Sequence, residues 1–469
     1  MNIKLILSFA IGPIGAAALG FITLPLMTWL YSPEDIGRFG MLNIAVSFAV
    51  LLFCLGLDQA YVRQYHESED RGELLKISVM PGLILLTILS VLFLVRPQYL
   101  ASLLFGVNIV SAGILTIFII FFSFLLRFLS LILRMEGRGG GFSLSQLIPK
   151  IVTIICLSCF YLFFEYHDFE QLLWASLLGF LSTLIAMLLI TMKDWKAAIS
   201  SRFNFSKSKD MMFFGFPLIL GSLAFWGVTA MDRVFLRTLS TFEQLAIFSV
   251  AISFANAASI IQSIFSTLWA PMVYKISKNG EESLNLVNKA SKYILLVVVV
   301  LFCLAGLFSW VIDYFIPENY KNVKFVLLAC LGYPLLYTLS ETTVVGIGIS
   351  KKTSYSMLAS VLALGINFGL NYILVPSLGA SGAAVSTCIT FWFFLIFRTE
   401  FSVLCWKKIP RFELYFFTFL CVAGASVEAV WGGGYSIYLK CYWGSVMCLL
   451  FFKNRTLLSA LIKERFQIN

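Results

Sequence analysis

Apolar runs of roughly 20 residues recur along the whole chain, separated by short segments that carry most of its charges. A run of that length crosses a hydrocarbon core of ~30 Å as a single helix. A transmembrane β-barrel would instead show shorter segments in which apolar and polar residues alternate, and these runs do not alternate. The pattern therefore predicts an all-α polytopic membrane protein.

The runs predict about fourteen transmembrane helices. Their approximate bounds are residues 5–30, 36–58, 75–95, 112–135, 142–164, 170–192, 212–236, 243–270, 291–315, 324–349, 354–376, 378–398, 412–431 and 434–452. Glu428 and the turn Gly432-Gly433-Gly434 interrupt the last two, so twelve helices is the alternative count.

The loop charges predict the orientation of these helices. With a cytoplasmic N-terminus, the cytoplasmic segments hold 25 of the 34 lysines and arginines, whereas the opposite side holds six. This bias agrees with the positive-inside rule and predicts that both termini are cytoplasmic.

The most basic connection, residues 193–210, follows six predicted helices. Because six is even, a second set of six helices starts from the same side, as a parallel repeat requires. The segment Phe9-Ala10-Ile11-Gly12-Pro13 also resembles Phe213-Phe214-Gly215-Phe216-Pro217. We therefore expect an N-terminal six-helix lobe (1–192), a cytoplasmic basic connector (193–210), a C-terminal six-helix lobe (211–400), and an extra helix pair with a basic C-terminal tail (401–469).

Composition excludes several functional classes. Apolar residues make up 60% of the chain and charged residues 12%, against about 25% charged residues in an ordinary soluble domain. The net charge of +10 is explained by membrane topology, so no nucleic-acid partner is expected. There are only two histidines, and Cys156-x-x-Cys159 lies within an apolar run, so no metal site is expected. No phosphate-binding GxxxxGK[ST] loop is present. The sequence thus indicates no cofactor, and coupling to a proton or sodium gradient stays open.

Two predicted helices carry a polar stripe. In the eighth, Ser253, Asn256 and Ser263 share a face with Ser249, Ser259 and Ser266, and in the second, a similar but sparser stripe is formed by Asn43, Ser47, Cys54 and Asp58. Such stripes either line a wet cavity, where hydroxyl and amide groups suit sugar hydroxyls, or serve helix packing. The sequence leaves both interpretations open.

Ionisable residues at membrane depth are a stronger signal, because each costs roughly 2.5–3.5 kcal/mol at a helix centre on insertion scales. Such groups usually face a cavity or a partner. The residues concerned are Arg127, Lys150, Asp232, Arg233 and Glu341. For Asp232 and Arg233 an interfacial pair is the alternative, and for Arg127 it is snorkelling to the cytoplasmic face.

Several motifs resemble one family in both identity and order. They are Leu24-Pro25-Leu26 with Ser32-Pro33-Glu34-Asp35-Ile36-Gly37-Arg38-Phe39, Leu55-Gly56-Leu57-Asp58-Gln59-Ala60 with Arg63, Gly215-Phe216-Pro217 with Asp232-Arg233, and Asn367, Asn371, Pro376, Gly379 and Gly382-Ala383-Ala384. Together they resemble the Wzx-type polysaccharide-export flippases of the multidrug/oligosaccharidyl-lipid/polysaccharide exporter superfamily, whose fold is MATE/MOP-like. The resemblance covers most of residues 1–400. In the second half, Ala246 stands at the position that corresponds to Gly37, where the family usually has glycine. Residues 411–469 match nothing in the family.

The resemblance implies a carrier in the bacterial inner membrane and no enzymatic activity. It would flip an undecaprenyl-diphosphate-linked oligosaccharide, an O-antigen or related polysaccharide repeat unit, to the periplasmic leaflet by alternating access. Its partners would be this substrate, membrane lipids and other polysaccharide-assembly membrane proteins. On this basis we hypothesise that Arg127 and Lys150 attract the diphosphate and that Glu341 replaces it when the cavity opens outward.

Two alternatives belong to other functional classes. A cation-coupled drug exporter of the same superfamily would have a more acidic cavity in its first half. A membrane glycosyltransferase would rest on Glu34-Asp35 alone, and these two acids after Pro33 are also an ordinary helix start.

Overall fold

The computed structural model describes residues 3–276, 280–350 and 352–455. Within these ranges the chain forms nineteen α-helices and two short 3₁₀ helices, Ser309–Tyr314 and Glu318–Tyr320, which confirms the all-α prediction. The α-helices are α1 (Ile3–Leu30), α2 (Pro33–Phe53), α3 (Leu57–Gln64), α4 (Arg71–Val95), α5 (Pro97–Phe105), α6 (Val110–Met135), α7 (Gly139–Phe163), α8 (Phe169–Ile190), α9 (Met192–Ser200), α10 (Phe205–Leu239), α11 (Phe242–Ala255), α12 (Ala258–Ile276), α13 (Gly280–Leu307), α14 (Val323–Cys330), α15 (Gly332–Ile349), α16 (Ser354–Leu378), α17 (Ala380–Cys405), α18 (Phe412–Trp431) and α19 (Ser436–Lys453). The basic tail predicted beyond residue 455 lies outside the described residues.

Twelve segments of the described chain are long and apolar enough to cross a membrane, so the protein is a multi-pass membrane protein. The number equals the alternative count from the sequence but is reached differently, because α18 is among the twelve and the predicted eighth and fourteenth spans are not. The eighth predicted span, 243–270, is not one helix, because α11 ends at Ala255 and α12 begins at Ala258. The fourteenth predicted span, 434–452, forms the helix α19, which carries Lys440 and Lys453 within its 18 residues. It is not among the twelve segments.

The start of α2 shows how local sequence sets a helix boundary. Ser32 is the N-cap, and its hydroxyl accepts a hydrogen bond from the backbone N–H of Asp35 at 3.2 Å. Pro33 follows at the first helical position, where a missing N–H has no cost. Glu34 and Asp35 then pair with Arg38 at 3.1 and 2.7 Å. The two acids therefore serve the helix start, as the capping interpretation predicts.

The described chain divides into two compact units. The first extends to Arg237 and takes in Thr241–Ser249, whereas the second runs from Val250 and takes in Thr238–Ser240. In the first unit α1 packs against α7, α7 against α8, and α2 against α6. Its core contains Phe53, Tyr61 and Phe124. The predicted lobe boundary at residues 193–210 stays a prediction.

The basic connector forms α9 and the first turn of α10, and it lies against the start of α4. Lys76 of α4 donates to the backbone oxygens of Ile199 and Ser201 at 3.0 and 2.7 Å. Lys207 pairs with Glu73 at 2.7 Å, and this hydrogen bond raises the pKa of Lys207. The connector is thus held by polar contacts to one helix end.

In the second unit α17 packs against α15, α16 and α18, and α19 packs against α13. The helix pair α18–α19 is fixed by a buried polar contact in which the Trp443 indole N–H donates to Glu428 Oε2 at 2.7 Å. Trp443 is fully buried and Glu428 nearly so. Glu428, the acid that interrupts the predicted span 412–431, therefore has a hydrogen-bonding partner on the neighbouring helix α19.

Replacing Trp443 with Phe removes the indole donor and leaves a buried carboxylate oxygen with one hydrogen bond fewer. We expect the free energy of unfolding to fall by about 1–3 kcal/mol. Thermal denaturation of the purified protein in detergent measures the change. Trp431→Phe is the matched control, because the Trp431 side chain is exposed. Equal melting temperatures for the two variants would contradict the role given to this contact.

Candidate functional site

A sharp break separates α2 from α3, and it corrects the single span predicted over 36–58. Leu55 and Gly56 both have positive φ, 51° and 68°. This conformation is ordinary for glycine and strained for leucine. The chain turns there and resumes at Leu57, so Asp58 stands in the first turn of α3, where the partial positive charge of a helix N-terminus stabilises a carboxylate.

Asp58 forms an ion pair with Arg127 of α6. Nη2 and Nε of Arg127 donate to the same carboxylate oxygen, Oδ2, at 2.6 and 3.1 Å. The Asp58 side chain is 11% exposed, whereas that of Arg127 is 45% exposed. Nη1 of Arg127 makes no hydrogen bond with the described residues. The guanidinium is therefore anchored at one edge and open at the other.

The ion pair lies in an open cavity of about 430 Å³. The cavity is lined by Ser47, Val50, Leu51, Cys54, Asp58, Arg127, Ser222, Phe225, Trp226 and Thr229. Trp226 of α10 donates its indole N–H to the Ser47 hydroxyl at 3.0 Å. Three members of the predicted polar stripe of the second helix therefore line this cavity, together with the predicted Arg127.

The fourth member, Asn43, is not among the residues that line the cavity. It is exposed, and its side-chain amide donates to the Phe39 carbonyl one turn earlier in α2 at 3.1 Å.

Two sequence motifs far apart in the chain meet beside the cavity. Gly56 packs so closely on α10 that a Cβ there would overlap the Gly215 carbonyl oxygen. The guanidinium carbon of Arg63 lies 4.4 Å from the centroid of the Phe214 ring, and Gln59 donates to the Ser222 hydroxyl at 3.3 Å. The "Leu55-Gly56-Leu57-Asp58…Arg63" motif therefore positions α10 at the cavity wall.

The other predicted ionisable residues of the first unit lie elsewhere. Lys150 is exposed on α7 and makes no ion pair or hydrogen bond with the part of the chain that the structure describes. Asp232 on α10 is fully buried. Arg233 is half-buried, with its guanidinium 5.8 Å from the centroid of the Phe248 ring. The structure does not bring these three side chains into the cavity around Arg127.

The polar stripe predicted on the eighth helix is interrupted by the break between α11 and α12. Ser249 is buried against Gly40 of α2, which fits the helix-packing interpretation. Asn256, at the break, and Ser263 are exposed, and Ser253 is half-buried. A continuous single face therefore does not form, although the exposed members keep access to the surroundings of the helix.

Glu341 pairs with an arginine, Arg398, that the sequence pattern does not indicate as a site residue. In the second unit Arg398 Nη2 donates to Glu341 Oε1 and Nη1 to the Ser340 hydroxyl, both at 2.7 Å. The guanidinium also lies 5.1 Å from the ring centroids of Tyr337 and Phe394. The apolar run predicts that this span ends at residue 398, so that Arg398 counts among the cytoplasmic loop charges. In fact α17 continues to Cys405, and Arg398 is buried.

A second arginine cluster surrounds Phe242 in the first unit. Arg38 and Arg237 lie 5.2 and 4.9 Å from its ring centroid. Arg237 also donates to the backbone oxygens of Leu104 and Ser102 at 3.1 and 3.2 Å. Arg38 stands inside a motif noted in the sequence, but its packing partners come from distant segments, so no local signal indicated this cluster.

The fold is shared with solved membrane transport proteins. The chain is similar to a structure described as "Lipid II flippase MurJ, inward closed conformation", at 18% identity and a TM-score of 0.69, covering 96% of this chain and 99% of that one. It is also similar to the inward-facing conformation of a multidrug resistance MATE family transporter of the MOP superfamily, at 17% identity and a TM-score of 0.57, covering 83% and 94%. This defines the class as a polytopic membrane protein with the MATE/MurJ-like fold.

The family of the chain is identified by comparing its sequence with family models. A comparison with curated proteins gives no match. The family model described as "Polysaccharide biosynthesis protein" matches residues 4–277, which is more than half of the 469 residues. The chain belongs to this family of polysaccharide biosynthesis proteins.

Replacing Gly56 with Ala tests the contact on which the cavity wall depends. The new Cβ would overlap the Gly215 carbonyl oxygen, in addition to the cost of about 1–2 kcal/mol for a left-handed non-glycine residue. We expect a lower melting temperature and a lower yield of monodisperse protein than for Gly137→Ala. Gly137 is the matched control because its φ is 74° and nothing lies near its Cβ position. Equal melting temperatures would show that the close approach of α10 does not matter for stability.

Proposed function

We propose that this protein flips an undecaprenyl-diphosphate-linked oligosaccharide, such as an O-antigen or related repeat unit, across the bacterial inner membrane by alternating access. Membership of the polysaccharide biosynthesis family supports the pathway, and the fold shared with a lipid II flippase supports the mode of action. The protein then acts as a carrier and not as an enzyme.

The observation that carries the proposal is the half-exposed guanidinium of Arg127 in its cavity. Its Nε–Nη2 edge is held by Asp58, and Nη1 faces no partner within the described residues. A guanidinium is suited to phosphate because its planar fork matches two oxygens at once. A diphosphate diester carries two negative charges against the single charge of Asp58, so it competes well for the same cation.

The size and lining of the cavity fit a head group. A volume of about 430 Å³ falls within the 300–1,000 Å³ that is usual for small-ligand sites. It accommodates a diphosphate with its first sugar, but not a whole repeat unit with its lipid tail. The hydroxyls of Ser47, Ser222 and Thr229 and the Trp226 ring provide polar and aromatic surface that suits a sugar.

The ion pairs alter the charge exchange expected from the sequence, in which Glu341 replaces the diphosphate beside Arg127 and Lys150. Arg127 already has an acidic partner in Asp58, and Glu341 has a cationic one in Arg398. We therefore propose that the diphosphate displaces Asp58 from Arg127 on binding and that Asp58 returns on release. Lys150, exposed on α7, is proposed as a second attractive charge for the incoming substrate. Coupling to a proton or sodium gradient stays a proposal for experiment.

Deletion of the gene should abolish a surface polysaccharide, while its lipid-linked precursor accumulates on the inner leaflet. Gel analysis of the polysaccharide, together with enzymatic labelling of precursor exposed on either face of membrane vesicles, measures both effects. Complementation with the wild-type gene is the control. Formation of glycosidic bonds from a lipid-linked donor by the purified protein would contradict the proposal and favour a glycosyltransferase.

Charge variants separate the flippase from the drug-exporter alternative. We expect Arg127→Ala to lower polysaccharide output about ten- to a hundredfold, because a charge-assisted hydrogen bond contributes about 1.5–3 kcal/mol. Arg127→Lys should be milder, since the charge remains. Arg134→Ala is the matched control, as Arg134 is exposed two turns further along α6 and does not line the cavity.

Asp58→Asn is the discriminating variant. In a flippase it removes the competitor for Arg127, so substrate binding is retained or tightened. In a cation-coupled exporter the acid would be essential and Arg127 dispensable. Wild-type polysaccharide output from Arg127→Ala, at unchanged membrane levels of the protein, would refute the role proposed for this cavity.

A further inference from the structure

A second cavity, of about 330 Å³, lies in the second unit between α13, the start of α18 and the end of α19. It is lined by Asn288, Ser291, Lys292, Leu295, Pro410, Arg411, Phe412, Glu413, Leu414 and Lys453. We call it the basic pocket. None of these residues belongs to the cavity around Arg127.

The pocket carries an excess of positive charge. Three of its residues are cations and one is an acid, and Lys453 pairs with that acid, Glu413, at 3.2 Å. Arg411 pairs through Nε with Glu400 at 2.5 Å. Lys292 is exposed and makes no ion pair or hydrogen bond with the described residues. The pocket therefore has an uncompensated ammonium group and a guanidinium that is bonded at one edge only.

Two further groups provide hydrogen-bonding capacity. The side chain of Arg411, the N-cap residue of α18, does not cap the helix, so the N–H groups of the first turn have no side-chain acceptor from it. Such a helix start favours an anion. The amide oxygen of Asn288 is buried and has no hydrogen-bond partner among the described residues. A bound phosphate ester with hydroxyl groups would use the cations, the N–H groups and this amide together.

The surroundings of the pocket distinguish a lipid from a free anion. Large apolar side chains beside it are exposed, including Tyr293 and Val297 on α13, Phe412 and Phe416 on α18, and Phe452 on α19. Lys292 lies two residues before the apolar run 294–307, and Lys453 ends α19. The cations thus stand where polar head groups meet hydrocarbon, with apolar surface leading away from them. A free phosphate would leave that apolar surface unused.

We propose that the basic pocket binds the phosphate head group of an anionic phospholipid, whose acyl chains lie along the exposed faces of α13, α18 and α19. With the predicted topology this is the cytoplasmic leaflet, where juxtamembrane cations are attracted by anionic lipids. The site is independent of the substrate cavity, and it gives a role to the helix pair that follows the two predicted lobes.

The test uses the purified full-length protein in detergent, titrated with phosphatidylglycerol, phosphatidylcholine or inorganic phosphate. Thermal unfolding and native mass spectrometry report stabilisation and the number of retained lipids. We expect phosphatidylglycerol to raise the melting temperature and to remain bound, and the other two to have little effect. Equal effects of phosphatidylcholine would overturn the head-group assignment. An equal effect of inorganic phosphate would show a free-anion site instead.

Variants then locate the binding site. Lys292→Gln and Arg411→Gln should each weaken phosphatidylglycerol binding about tenfold, which corresponds to the loss of one ionic contact. Lys289→Gln is the matched control, because Lys289 is also exposed on α13 but does not line the pocket. If Arg411→Gln folds poorly, Lys292→Gln decides alone, since the Lys292 side chain makes no ion pair or hydrogen bond with the described residues. Wild-type binding by Lys292→Gln would refute the proposal, whatever the outcome for sugar transport.

Discussion

Charged side chains inside an apolar helix bundle are stable only when each has a counter-charge, a hydrogen-bonding partner or water. This constraint explains two of the ion pairs in the described chain. Arg127 pairs with Asp58 in the first unit, and Arg398 with Glu341 in the second. They differ in exposure, however, because the Arg127 side chain is 45% exposed and that of Arg398 is 8% exposed. The greater exposure of the first pair is what the proposed exchange of Asp58 for a ligand requires.

The backbone break at Leu55-Gly56 is what makes the first pair possible. A continuous helix would carry Asp58 along the axis of α2, whereas the break starts a new helix and places Asp58 in its first turn. The same glycine allows α10 to approach at Gly215, and α10 contributes Ser222, Trp226 and Thr229 to the cavity. One strained turn therefore positions both Asp58 and the α10 wall of the cavity.

The remaining cations divide into two kinds. Arg38 and Arg237 are held by aromatic faces and backbone oxygens around Phe242, so they fasten helix ends of the first unit to one another. Lys292 and Lys150 make no ion pair with the described residues and stay available to anions. Under the proposed functions, the fixed cations hold the helix bundle together and the open cations attract anionic lipids.

The sequence by itself determined the class, the positions of nearly all spans and the helix start at Pro33-Glu34-Asp35, because these depend on apolar run length and on neighbours within one turn. It also identified Arg127 and Glu341 as ionisable residues at membrane depth, and it placed Asp58 on the polar stripe of the second predicted helix. Only the tertiary structure decided the partners, since Arg127 and Asp58 are 69 residues apart and Arg398 and Glu341 are 57 apart. It also decided where the second and eighth spans break. Such separations are bridged by helix packing, which a pattern along the chain does not encode.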